Sequence, residues 1–464
     1  MRALVLDAAR ALAGSTGTRA RAGPQHGRPA MAGTENGLGM AARFTHLLPV
    51  VLGGDIGAYA LARQLHQATG ARVSLLASEP IAAISRSGYI DVVGLPAGTG
   101  RQETISRLRG LVAGRPERSA VLMANTDAAA ALISSHREQL EPAYVLPFPE
   151  IGVMERVCDK ASFSRLCAEV GVTTPREIVV DLADPHCRPP TDPAAQGVPF
   201  PLVAKAAIGA DYDRASFPGK RKIWFIQDAE ELEGMWRALA GAGYRSPFLL
   251  QERIPGDDTA MRSVTVYMDS TGAMRLVGSA RVLLEDHAPT LIGNPVAMIT
   301  EAFPSLWQAT ERLLTHAGYR GFANLDIKVD PRDGRELFLE VNPRIGRNSF
   351  YLTAAGANPM SIMLEDLVAD HRGPRTEVTR QVLYSLVPHR LLHRYLRDPG
   401  LRHRARALAG SAADPLRDPA ERSIPRRIII ELQRLNQYRK FARFHPVPGP
   451  SQPTAPSTTG PADV

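Results

Sequence analysis

Ala323-Asn324-Leu325-Asp326-Ile327-Lys328-Val329-Asp330, then Pro331-Arg332-Asp333-Gly334, then Glu336-Leu337-Phe338-Leu339-Glu340-Val341-Asn342, reads as a β-hairpin with one charged face. In the first segment Leu325, Ile327 and Val329 alternate with Asn324, Asp326 and Lys328. The Pro-Arg-Asp-Gly turn follows, and in the second segment Leu337, Leu339 and Val341 take the apolar face and Glu336, Glu340 and Asn342 the other. A register symmetric about Asp333 sets Asp326 opposite Glu340, with side chains roughly 5 Å apart. Like charges at that spacing repel, so the pairing is disfavoured unless a cation sits between them. Two carboxylates and an amide form an oxygen-only donor set, which suits Mg²⁺ with substrate phosphates completing its shell. The competing reading is a solvated hairpin face, the ordinary fate of charged strand residues.

The residues that follow separate the two readings. Glu340-Val341-Asn342-Pro343-Arg344 fits a Glu-x-Asn-x-Arg signature, and here the chain resembles the ATP-grasp superfamily. The resemblance implies that Asp326, Glu340 and Asn342 hold two Mg²⁺ ions against ATP, with Glu340 the bridge and Mn²⁺ an alternative hard cation. It makes Arg344 the contact to phosphate or acyl phosphate, and a guanidinium fork matches such oxyanions.

Upstream segments extend the resemblance in order. Asp159-Lys160 opens a helix in which Phe163, Leu166, Cys167 and Val170 share a face before Gly171 ends it. This looks like the start of an ATP-grasp domain, with Lys160 its first phosphate-binding lysine. Pro199-Phe200-Pro201-Leu202-Val203-Ala204-Lys205 is a strand whose terminal Lys205 matches the lysine of the α- and β-phosphates. Its ammonium, flanked by apolar residues, requires an anionic partner. The next loop, from Ile208 to Gly219, departs from the family's glycine run, which implies a longer lid that depends less on glycine. Phe248-Leu249-Leu250-Gln251-Glu252-Arg253-Ile254-Pro255-Gly256-Asp257-Asp258 resembles the adenine hinge: Gln251 and Glu252 at the base, Ile254 as the apolar contact, Asp258 or Asp257 on the ribose. Arg281, on the strand Met274 to Arg281, corresponds to a phosphate-stabilising base. The stretch Arg344 to Pro359 most resembles the corresponding segment of the superfamily's D-aspartate-ligase-like carboxylate–amine ligases, which makes Arg347 and Asn348 candidates for a substrate carboxylate.

Composition sets the outer limits. At 464 residues two or three domains are expected, and 44% hydrophobic content is ordinary for a soluble protein. Cys158, Cys167 and Cys187 give neither a disulfide framework nor a Cys-x-x-Cys site, as expected of thiols in a reducing cytoplasm. The net charge of +8 concentrates near the ends. With no nucleic-acid motif beside it, no nucleic-acid partner is expected, and at most a peripheral membrane contact through the basic C-terminal segment.

The strand Leu47 to Leu52, its Gly53-Gly54-Asp55-Ile56-Gly57 turn and the following strand–helix alternation predict an α/β domain with a parallel sheet. That turn lacks the full Gly-x-Gly-x-x-Gly spacing of a dinucleotide site, though its amides suit a carboxylate or phosphate. The expected organisation is a disordered extension (1–43), a pre-ATP-grasp α/β domain (44–150), a two-lobed ATP-grasp domain (151–373), a basic, helical C-terminal segment (374–445) and a disordered tail (446–464). The expected fold class is thus α/β, with an α+β core. The resemblance implies an ATP-dependent carboxylate–amine ligase working through an acyl phosphate, with an acid such as D-aspartate and a cell-wall precursor as amine; a homodimer is compatible with it. The same motifs would serve a peptide ligase of secondary metabolism, and a nucleotide-binding regulator is the non-catalytic alternative.

Overall fold

The apolar run Leu48–Leu52 (β1) is buried on both faces, which is what a central strand of a parallel sheet requires. Val51 and Leu75 pack to one side of that sheet and Val50, Leu52 and Leu122 to the other. The sheet has the order β3-β2-β1-β4-β5, with β2 at Val73–Ala77, β3 at Ile90–Gly94, β4 at Ala120–Ala124 and β5 at Tyr144–Val145. Helix α1 (Ile56–Thr69) follows β1; the Asp55 side chain caps it by accepting from Ala58 N at 2.9 Å, and Gly70 at φ 69° ends it. The computed structural model describes residues 43–447 except 208, 222 and 290, so the expected extension up to residue 42 and the tail from 448 lie outside the described residues.

Helices α2 (Ile151–Cys158) and α3 (Lys160–Glu169) lead into a second, antiparallel sheet of order β6-β9-β7-β8. Its strands are β6 (Glu177–Val180), β7 (Leu202–Ala206), β8 (Trp224–Ile226) and β9 (Phe248–Glu252). Leu202, Ala204, Phe248 and Leu250 pack on helix α4 (Ala229–Gly241) through Leu232 and Met235, so Lys205 and Gln251 take the other face by strand alternation.

The third sheet is built on β10 (Met261–Met268), β11 (Met274–Glu285), β12 (Pro295–Thr300), β13 (Gly321–Val329) and β14 (Glu336–Asn342). On one face Val264, Val266, Leu325 and Ile327 pack against helix α5 (Pro304–His316). On the other, Tyr267, Leu276 and Phe322 join the core that also holds α1. Along β13 this second face changes from apolar Phe322 to Asn324, Asp326 and Lys328, placing the polar site at the margin of that core. The sheet continues into the basic segment expected from residue 374: β15 (Thr376–Val378) pairs with β11 and β16 (Leu383–Ser385) with β12. The remainder is helical, ending in α6 (Ile424–Phe444).

Candidate active site

The β13–β14 hairpin pairs Asn324 with Asn342, Leu325 with Val341 and Asp326 with Glu340, so both acids and both amides share one face. The strict alternation expected of β14 does not hold. A bulge at Leu339 sets Ile327 opposite Phe338 and Lys328 opposite Leu337. Phe338 therefore joins the core with Val341, and Leu337 falls on the Asp326 face, while Leu339 is only half-buried. The bulge absorbs one residue of a turn shorter than the symmetric register requires, and so keeps Glu340 and Asn342 beside Asp326. Burial and the Glu340 charge push the Asp326 carboxyl up to about 7. Asn342 Nδ2 donates to Asp326 Oδ2 at 3.0 Å, and Arg344 donates to Asn342 Oδ1 at 3.0 Å. Among the described residues no three His, Cys, Asp or Glu side chains gather for a metal; the donor set here is two carboxylates and an amide. A hard divalent cation fits it, because it relieves the repulsion that raises Asp326.

Two lysines face these acids. Lys160, the first residue of α3, lies 3.8 Å from Glu340 Oε2. Lys205 donates to Gln251 Oε1 at 3.2 Å, and Gln251 donates in turn to Glu177. Burial, then repulsion from Lys160, brings the Lys205 ammonium down to about 8. Paired cations opposite paired anions are mutually frustrated alone and are both satisfied by a metal–polyphosphate.

Along the hinge strand the side chains diverge. Gln251 faces the cleft, whereas Glu252 is held by Arg176 at 3.2 Å and by Arg332 at 3.0 Å. Arg332 also pairs with the buried Asp330, so this cluster ties β9 to the β13–β14 turn. Glu252 thus offers the cleft only its backbone, and Ile254 is buried just beyond. Asp258 accepts from Glu285 N at 2.8 Å and faces His287 Nε2 at 3.1 Å. Burial works to raise its carboxyl, but His287 holds it below the usual range. Asp257 is exposed and spends its carboxylate on the Thr259 amide and hydroxyl, which leaves Asp258 as the inward-facing acid.

Arg344, Arg347 and Asn348 line a small cavity together with Asn324, Asp326, Asn342, Asn294 and Tyr384. Arg344 ion-pairs with Asp127 at 3.1 Å and Arg347 with Asp55 at 2.6 Å, so both arginines reach the parallel-sheet domain. Burial would raise the Asp55 carboxyl, yet Arg347 and the Ala58 amide hold it low. The helix start expected to receive a substrate anion is thus capped by Asp55 itself. A Cβ on Gly57 would lie 2.1 Å from Asn125 and 2.8 Å from Arg347, so that glycine admits side chains rather than a dinucleotide. Asn348 is buried against Met298.

Arg281 does not join the site. It pairs across the sheet with Arg262, which pairs with Ile327, and so it lies on the face opposite Asp326. There it binds Glu301 at 3.2 Å, while its neighbour Ala280 occupies the row of Ser263 and Asp326. Strand phase, invisible without the register, decides this. Two further acids border the site: Asp127 through Arg344, and Glu285, whose carboxyl is pushed up to about 8 by burial and by Asp258 and Asp326. Asp127 gives no signal beyond an acid in a helix's first turn, and Glu285 ends a strand whose bulges near Leu284 obscure its face.

No protein-family model matches the chain. It is 32% identical over 330 residues to a D-aspartate ligase of Enterococcus faecium, covering 69% of this chain and 76% of that protein. The chain belongs to the ATP-grasp carboxylate–amine ligases. As an ATP-grasp ligase it is an ATP-dependent enzyme forming C–N bonds. Its fold is also that of the biotin carboxylase domain of a Hydrogenobacter thermophilus 2-oxoglutarate carboxylase, with TM-score 0.52, 16% identity and 72% of each chain covered. A Staphylococcus aureus N5-carboxyaminoimidazole synthetase, solved with ADP, superposes with TM-score 0.51 at 13% identity, covering 73% of this chain and 81% of that one.

Proposed function

We propose that this ligase activates a small carboxylate with ATP as an acyl phosphate and passes the acyl group to an amine, the acid being one such as D-aspartate and the amine belonging to a cell-wall precursor. The observation that carries the reading is the Asp326–Glu340 pair on one strand face, opposed by Lys160 and Lys205 and bordered by Arg344. Asp326, Glu340 and Asn342 would hold Mg²⁺, two ions in the fullest form, which supplies charge neutralisation at the phosphates. Lys160 and Lys205 bind the phosphate chain, Ile254 and the backbone at Gln251–Glu252 seat the base, and Asp258 takes the ribose. A carboxylate oxygen attacks the γ-phosphorus as the bond to ADP breaks; the amine nitrogen then attacks the acyl carbon, phosphate departs and the amine loses a proton. Arg344 steadies the oxyanion, and Arg347 with Asn348 orients a carboxylate of the acid. Positioning and electrostatics supply the catalysis, with no covalent nucleophile on the enzyme.

The assay follows ADP release with ATP, Mg²⁺ and a panel of amino acids of both configurations crossed with cell-wall peptides, in parallel with hydroxylamine trapping. D-aspartate-dependent hydroxamate supports the reading. Tight ATP binding with neither ADP nor hydroxamate across the panel makes the protein a regulator. Hydroxamate from other acids alone, with ordinary peptides as acceptors, moves it to secondary metabolism.

A further inference from the structure

Helix α6 carries a stripe that the other described residues leave uncovered. Ile424, Ile428, Leu432 and Leu435 are 54–68% exposed and recur at helical spacing on one face. The opposite face is firmly docked: Arg426, Ile430 and Phe441 are buried, and Lys440 pairs with Asp286. The stripe is therefore held outward by packing. Exposed Arg422, Arg427, Arg439 and Arg443 surround it. The helix's one acid, Glu431, is already paired with Arg417.

We infer that this face of α6 docks on an anionic phospholipid surface, the apolar stripe entering the headgroup–acyl boundary and the arginines meeting lipid phosphates. A contiguous apolar stripe with a basic margin is the pattern of a helix that lies in a membrane interface. No helix among the described residues is long and apolar enough to cross a membrane, so the contact is lateral. A second copy is a poorer occupant, because a two-fold interface sets the stripe against itself and brings the surrounding arginines together. Residues 448–464 offer only alanine, proline and one valine as apolar cover, and residues 1–42 carry five arginines against two acids, a charge that opposes docking here. The inference stands apart from the ligase reading, since it concerns a surface and not turnover.

The full chain is to be co-sedimented with vesicles of phosphatidylcholine alone and of phosphatidylcholine with phosphatidylglycerol in equal parts. Binding is expected to the mixed vesicles only, to weaken with added salt, and to fall at least ~10-fold in I428E/L432E, whose sites are exposed. R439E/R443E should weaken it as well and serves as the second test if I428E/L432E melts early. Absence of binding, equal binding to both vesicles, or binding indifferent to both variants overturns the proposal. A wild-type dimer that ignores vesicles and is dissociated by I428E/L432E assigns the stripe to a second copy instead.

Discussion

Replacing Lys205 by Met keeps an apolar stem of similar length and removes the ammonium. In the folded protein without ligand that ammonium is brought from 10.5 down to about 8, chiefly by burial. At neutral pH the depression corresponds to a penalty of about 3 kcal/mol. Solvent reaching this half-buried side chain reduces it, and losing the bond to Gln251 costs about 1 kcal/mol. Lys205→Met should therefore raise the stability of the free enzyme by roughly 1 kcal/mol, or a few degrees in Tm at most. The pH dependence has a fixed sign. A depressed lysine pKa withholds stability progressively as pH falls from 10.5 to about 8, so the gain is full below about 8 and absent above 10.5. ATP binding should weaken by roughly 1.5–3 kcal/mol, about 10- to 150-fold in Kd, for loss of a charged hydrogen bond. In the wild type near pH 8, phosphate should also draw about half a proton onto Lys205, seen as a buffer-dependent binding enthalpy. Calorimetric titration and ligand-free melts test each part. Unchanged ATP affinity together with lower ligand-free stability would show that Lys205 is a structural ion-pair residue, and the phosphate assignment would fail.

Asp326→Asn and Glu340→Gln should each fold and lose Mg²⁺-dependent ADP release, since neutral amides bind a hard cation poorly; near wild-type release by Glu340→Gln would remove the metal assignment. With the Asp326 carboxyl raised to about 7, the metal-free enzyme should lose stability as pH climbs from 3.8 through about 7. Mg²⁺ should restore it, and melts with and without the ion across that range decide the point. Arg347→Ala should raise KM for the acid at least ~10-fold with little change in KM for ATP, because its guanidinium pairs with Asp55 away from the lysines. Arg281→Ala should keep kcat near wild type, because its side chain occupies the other face of the sheet; a large loss of kcat would contradict that placement. Glu252→Ala should destabilise the protein by roughly 1 kcal/mol, as measured in denaturant, because the Arg176 and Arg332 guanidiniums it releases are themselves exposed and Arg332 keeps Asp330.

Local pattern made much of this legible. Asp326, Glu340, Asn342 and Arg344 could be placed from alternation and a turn, because a hairpin's geometry is set within its own residues. The run Leu48–Leu52 announced a parallel sheet because a strand covered on both sides has no polar face to hide. What the sequence withheld depended on register and on distant partners. Phe338 and Leu337 exchanged faces through one bulge, and Arg281 went to the wrong side of β11 for want of a pairing partner to fix its phase. Asp127 meets Arg344, and Asp55 meets Arg347, across more than two hundred residues of chain. Glu252 reads as a contact to the base and Asp330 as the last residue of a strand, whereas both are buried acids that pair with Arg332.

The bulge at Leu339 makes the hairpin modular. On its turn side the strands pair in one phase, and on its site side in another, so turn length and metal geometry are set independently. A residue deleted between Pro331 and Gly334 could be absorbed by erasing the bulge, with Asp326 still beside Glu340. Deleting Leu339 itself is as harmless to the register, since it leaves Phe338 opposite Ile327 and Glu340 opposite Asp326. Deleting Val341 is different: it would bring Asn342 opposite Leu325 and turn it toward the core that holds Leu325, Ile327 and Phe338. Shortening is thus cheap from the tip to the bulge and prohibitive at Val341, a boundary that a deletion scan through the hairpin would draw residue by residue.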